Sequence, residues 1–171
     1  GNVTDPSSVT IAHGAAATAA DAFTFQTSSG TDTIKDVTVG LGTGDAVGLG
    51  LVEITNDAGT TVYGSVTNPA SDTPTITLST NTLSATITLT TYRIRITPYS
   101  HVAMPSPAGA TYTVTAKINS WTSTNTKLGS DTAGTTITID NLSSGDVTAA
   151  TGTAGDGQVA LSWTNPADTS T

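Results

Sequence analysis

Three observations predict an all-β fold, an antiparallel sandwich. Alternating apolar and polar runs rich in threonine and valine recur as about ten strands at spacings of roughly 8–15 residues. Glycine, proline, asparagine and aspartate cluster between those runs, where turns need them. No stretch carries the 3.6-residue periodicity of an amphipathic helix.

Ser8–Ala12 reads as a short first strand. Ala15–Ala20 has helical propensity but sits between strands, so it reads as a connection that Asp21 would cap. Residues 22–27 alternate, with Phe23 and Phe25 on one face. In Thr33–Val39, Val37 and Val39 are in phase and Ile34 is not, which predicts a bulge or a late start. The glycine-rich run Gly40–Gly50 is followed by another strand rather than a helix. A phosphate loop needs that helix, so the run reads as a surface loop. Leu51–Thr55 and Thr60–Gly64 flank Asn56–Gly59, whose residue types favour a tight hairpin. Asn68–Pro74 is a loop, and Thr75–Leu78 and Ala85–Leu89 read as strands. In Tyr92–Thr97 the residues Tyr92, Ile94 and Ile96 point inward and Arg93 and Arg95 outward. Tyr99–Pro107 is irregular, and Ala108–Ala116 is a strand entered through proline and glycine. That approach to Tyr112 and Val114 resembles the penultimate strand of immunoglobulin-like sandwiches. The resemblance implies that the Tyr112 hydroxyl bonds back to the preceding corner. Lys117–Trp121 continues the strand or bends away, and Thr135–Ile139 closes the body. The expected fold is therefore an antiparallel immunoglobulin-like β-sandwich over residues 1–142. A linker and an extended C-terminal strand occupy residues 143–171.

Composition excludes several function classes. The formal charge is −8 with only five lysines and arginines, scattered along the chain. Nucleic acid and anionic membrane surfaces both select for clustered basic residues. No run has the ~20 apolar residues of a membrane-spanning helix, so no membrane insertion is expected. Cysteine is absent, which removes disulfides and thiolate metal sites. The N-terminus has no initiator methionine, basic region or apolar region, so Gly1 reads as a processed end, a repeat boundary or a cut edge. Thr-rich, Lys-poor acidic chains of this kind resemble secreted and cell-surface modules of prokaryotes, which implies an extracellular location.

No catalytic constellation is legible. His13 and His101 are far apart and without ligand spacing. The serine elbow motif is absent. Glu53, the only glutamate, reads as a residue on a solvated strand face, which argues against paired-carboxylate chemistry. Asp32, Asp36, Asp57 and Asp131 have the oxygen chemistry for Ca²⁺ but not the spacing of a calcium loop. No cofactor is expected, and the chain reads as a non-enzyme. Trp121 has few apolar neighbours, which leaves stacking on surface glycans open for it.

The segment Gly155–Asp168 carries the strongest signal. Val159, Leu161 and Trp163 share one face of a strand that Asn165 and Pro166 terminate. Its Leu-x-Trp core, glycine-rich approach and following proline resemble the opening of a fibronectin type III domain. Glu53–Leu142 likewise resembles repeat modules that lie between such domains in large bacterial surface proteins. So apolar a strand needs a groove, either in its own body or in a neighbour. The expectation is a structural subunit of an extracellular filament or pilus-like appendage. Val159, Leu161 and Trp163 would be lodged in another copy of the chain by β-strand addition, head to tail. The alternative is an excised spacer, adhesion or carbohydrate-binding module of a tandem-domain surface protein or secreted enzyme.

Overall fold

The computed structural model describes residues 1–105, 111–141 and 148–164, apart from the side chain of His101. It is all-β. In chain order the strands are β1 (Val9–Ala12), β2 (Thr18–Phe25), β3 (Asp32–Ile34), β4 (Asp36–Leu41), β5 (Leu49–Asn56), β6 (Val62–Thr67) and β7 (Thr75–Thr77). They continue with β8 (Leu83–Ala85), β9 (Thr90–Pro98), β10 (Tyr112–Val114), β11 (Ala116–Thr122), β12 (Ile137–Asp140), β13 (Thr148–Gly155) and β14 (Gln158–Thr164). Two short 3-10 turns, Asp45–Gly48 and His101–Ala103, interrupt them.

One layer is the four-stranded sheet β2-β9-β5-β6, antiparallel throughout. The other layer comes from two three-stranded sheets, β1-β12-β10 and β11-β4-β7. Thr115 alone separates β10 from β11, so one continuous stretch of chain serves both sheets. β1 runs parallel to β12, while β10 runs antiparallel to it. β3 and β8 form a small separate ribbon.

Period-two burial builds a single core. Val52 and Ile54 of β5 and Tyr92, Ile94 and Ile96 of β9 meet Val37 and Val39 of β4, Ile118 of β11, and Ile137 and Ile139 of β12. Burying each such aliphatic side chain contributes about 1.5–3 kcal/mol. Phe23, Phe25 and Tyr92 form an aromatic group within the core, with ring centroids 5.5–5.9 Å apart. Gly64 of β6 packs directly against the backbone of β7. A Cβ there would lie 2.4 Å from the Thr77 carbonyl oxygen on β7.

The hairpin read at Asn56–Gly59 is present. Asn56 Oδ1 accepts the amides of Thr60 and Thr61 at 2.8 and 3.0 Å, and Gly59 takes a φ of 71°. Several expectations need correction. Ala15–Ala20 is not wholly a connection, because β2 begins at Thr18, and Asp21 sits inside the strand instead of capping a turn. Of the two readings of the out-of-phase Ile34, the bulge gives way to the late start: Lys35 breaks the run, and the strand of Val37 and Val39 begins at Asp36. Ala85–Leu89 is strand only at its first residue, which leaves Ile87 and Leu89 exposed. Glu53 is buried, paired across the ladder with Arg95 and 3.9 Å from its guanidinium. The C-terminal strand is not solitary. Part of the expected linker, Thr148–Gly155, pairs with it across the Asp156–Gly157 turn, where Gly157 has a φ of 67°. The approach Ala108–Ala110 and the terminating Asn165–Pro166 lie outside the described residues.

Candidate functional site

Four features of the structure bear on function. The first is the β13–β14 ribbon. Val159, Leu161 and Trp163 lie on one face and are 64%, 70% and 56% exposed. The partners opposite are small: Ala154 faces Val159 and Gly152 faces Leu161. Both large side chains lean over Gly152, within 3.5 Å of where its Cβ would be. The other face is polar, with the Thr151 and Ser162 hydroxyls 2.7 Å apart. Every residue of the ribbon is exposed, and none belongs to the core of the body. Two strands with one apolar face make half a sandwich, and such a ribbon needs a second layer to be stable.

The second feature is a cleft of about 570 Å³ beside Trp121. Its lining includes Phe25, Asp32, Leu89, Trp121, Asn125 and Leu128. Trp121 is half-buried, its ring 5.5 Å from Phe25 and edge-on to it. Lys127 Nζ donates to the Trp121 carbonyl. Asp32 organises the neighbouring loop by accepting the amides of Thr124 and Asn125 at 3.1 and 3.3 Å. Burial alone would raise the Asp32 carboxyl, but those amides outweigh it and hold the group below its usual range. Trp121 is thus packed on one edge rather than displayed as an open platform. Its ring partner, Phe25, comes from a strand far away in sequence.

The third feature accounts for the glycine-rich run. Asp72 reaches into it, its two carboxylate oxygens accepting the amides of Gly44 and Ala46 at 2.7 and 3.0 Å. Those bonds lower the carboxyl below its ordinary range. Amides that a phosphate would need are therefore taken up by the chain's own carboxylate. Asp45, raised by burial, accepts the Thr115 amide at 2.9 Å and so ties the run to the point where β10 passes into β11.

The fourth feature has no counterpart in the sequence reading. Asp21 of β2 is fully buried, and Asp131 and Asp5 lie beside it. Burial, followed by the negative charges of Asp131 and Asp5, pushes the Asp21 carboxyl up to about 9. The Asp131 carboxyl is also raised, chiefly by burial. Among the described residues no group of three or more acidic or histidine side chains is arranged to hold a metal ion. Asp32, Asp36, Asp57 and Asp131 do not come together. Asp36 is held by Thr77 and Thr122, Asp57 by Arg93, and Asp131 by the Ile118 amide. His13 Nδ1 lies 3.4 Å from the Asp140 carbonyl oxygen.

Tyr112 is half-buried, and its hydroxyl donates a 2.6 Å bond to the carbonyl of Pro105, seven residues upstream. No helix among the described residues is long and apolar enough to cross a membrane. No known family model matches the chain, and no curated protein or solved structure is significantly similar to it.

Proposed function

We propose that the chain is a structural, non-enzymatic unit of an extracellular surface protein. In this reading an immunoglobulin-like sandwich is followed by the first ribbon of a second, fibronectin type III-like sandwich. The observation that carries the reading is the β13–β14 ribbon, with its apolar face exposed and its other face polar. Such a face calls for a second apolar layer, and the sharp Asp156–Gly157 turn leads straight into the Leu161-x-Trp163 strand. Two features of the body support the immunoglobulin-like assignment: the parallel β1–β12 pair beside antiparallel β12–β10, and the bond from Tyr112 to Pro105. The acidic, threonine-rich, lysine-poor composition supports an extracellular location.

A second reading, a filament subunit joined to copies of itself, is favoured by one observation. β1 lies at a sheet edge, its only strand partner among the described residues being β12. It is flanked by a shallow hollow of about 300 Å³ lined by Ser8, Val9, Thr10, Thr136 and Thr138. An incoming strand would extend that sheet through main-chain bonds. β14 is a poorer donor than a lone strand, because β13 already occupies one of its edges.

Sedimentation velocity across a wide concentration range tests both readings, on the chain and on a Val159→Ser, Leu161→Ser, Trp163→Ser variant. The tandem-module reading expects a monomer in both cases and unchanged stability of the body. Concentration-dependent growth that the variant abolishes would favour the filament. A variant whose body is destabilised would sink both, since the ribbon would then be packed on its own sandwich.

A further inference from the structure

Four segments of chain converge on the Asp21 carboxyl. Asp21 itself follows a register irregularity in β2, between Ala19 and Asp21. Residues 1–5 lie along the edge of β2. There Gly1 exchanges backbone bonds with Thr24, Asn2 bridges to Phe23, and Asp5 Oδ1 accepts the Ala22 amide at 3.3 Å. Residues 131–135 cross over the same spot. The Gly134 amide bonds to the Ala116 carbonyl at 2.8 Å and the Thr135 amide to the Ala20 carbonyl at 3.1 Å. Gly134 is pressed so close that a Cβ would meet Asp21 Oδ1 at 2.6 Å. From β11, the Ile118 amide donates to Asp131 Oδ2 at 2.8 Å.

Hydrogen-bond satisfaction fails at this spot if every carboxyl is ionised. Asp21 Oδ1, Asp21 Oδ2 and Asp131 Oδ1 are all buried and accept no hydrogen bond among the described residues. Buried oxygens of this kind are rarely left unpaired, and two adjacent charges out of water are worse still. We propose that Asp21 and Asp131 share one proton, and that the resulting carboxyl–carboxylate bond latches residues 1–5 and 131–135 onto β2. The proton sits on Asp21, whose O–H donates to Asp131 Oδ1. This gives two of the three oxygens a partner and removes one of the two charges.

The charged groups facing the pair are few. Asp5 comes from the N-terminal segment, and the Gly1 amino group lies within Coulomb range of both carboxyls. The arginines of β9 are engaged elsewhere, Arg93 with Asp57 and Arg95 with Ala17, Gly59 and Glu53. A calcium ion is the other occupant that such oxygens suggest. It takes six to eight oxygen ligands, whereas one oxygen each of Asp5 and Asp131 is already committed to a backbone amide and, among the described residues, no three-carboxylate group is arranged for a metal.

The test is a pH series of urea unfolding on the whole chain and on Asp21→Asn, paired with carboxyl ¹³C titration of the wild-type protein. A proton held in the folded state and released on unfolding weakens the fold as pH rises. The unfolding constant grows by up to about tenfold per pH unit between the ordinary aspartate pKa and the raised one. Asp21→Asn keeps the shape and a donor toward Asp131, so its slope should be lost and it should exceed the wild type in stability near pH 9. A carboxyl that titrates well above pH 7 in the wild type, and is missing from the variant, is the expected spectrum. If Asp21→Asn does not fold, the wild-type spectrum alone decides. All carboxyls titrating in the ordinary range would overturn the proposal. So would calcium chloride raising the wild-type midpoint while leaving Asp21→Asn unmoved, which would make the pair a cation site.

Discussion

Replacing Tyr112 by phenylalanine separates one hydrogen bond from the packing around it. The ring packs on the core, 3.8 Å from where a Cβ on Gly48 would lie, and phenylalanine refills that space. Only the 2.6 Å bond to the Pro105 carbonyl is lost. A hydrogen bond contributes about 0.5–1.5 kcal/mol net, with more lost when the abandoned partner stays dry. Pro105 is itself half-buried, so water can reach the vacated carbonyl and the expected loss is about 1 kcal/mol. In a chain of this length that lowers Tm by about 2–4 °C. Urea unfolding followed by Trp121 emission measures it, in a Trp163→Phe background so that only the body reports. Tyr112→Ala removes the ring as well and should lose about 2 kcal/mol more. A loss below about 0.5 kcal/mol for Tyr112→Phe, the range of an ordinary surface change, would refute the reasoning. So would equal losses for the two variants.

Gly64→Ala should destabilise the fold by about 1–3 kcal/mol, because its Cβ would strike the Thr77 carbonyl at 2.4 Å and force β6 from β7. A lower urea midpoint with an unchanged slope would show it; a neutral result would mean that the layers can part without loss. Asp72 bears on acid stability. Its folded carboxyl is lowered by the Gly44 and Ala46 amides, so its contribution is present above the unfolded aspartate pKa and fades as pH falls through the lowered one. Asp72→Asn should therefore be less stable than the wild type at neutral pH, with the gap closing in acid. A gap that persists unchanged at low pH would contradict that cause.

Much of the fold is legible where local chemistry and long-range packing agree. Residues 51–64 combine strand alternation with an Asn and a Gly at the turn, and β9 alternates cleanly from Tyr92 to Ile96. The apolar face of β14 is equally plain. β13 was not, because its alanines, threonines and glycines show no apolar–polar contrast, and its pairing comes from the turn and from β14. The passage from β10 into β11 stays undecided in the sequence, between continuing and bending away, because Thr115 looks like any other strand residue. Asp21 is the sharpest case. An aspartate bordering an alanine run looks like part of a connection, and what buries it lies at Asp5, at Asp131 and in the Gly134 backbone. Side chains that meet from over a hundred residues away leave no periodic trace in one sequence. The Trp121 cleft is hidden for the same reason, since Phe25 and Leu128 come from opposite parts of the chain.

The parallel pairing of β1 with β12 has a mechanical consequence. Val9 through Ala12 match Ile137 through Asp140 rung by rung, joining the early and late parts of the body's sequence. Tension applied across the body draws one strand by its first residue and the other by its last, so the two slide lengthwise past each other. All the rungs then carry the load together, instead of parting one after another like a zip. A unit tethered at both ends in flow would resist pulling at this seam, and stretching it in a force microscope would reveal an abrupt yield rather than gradual peeling.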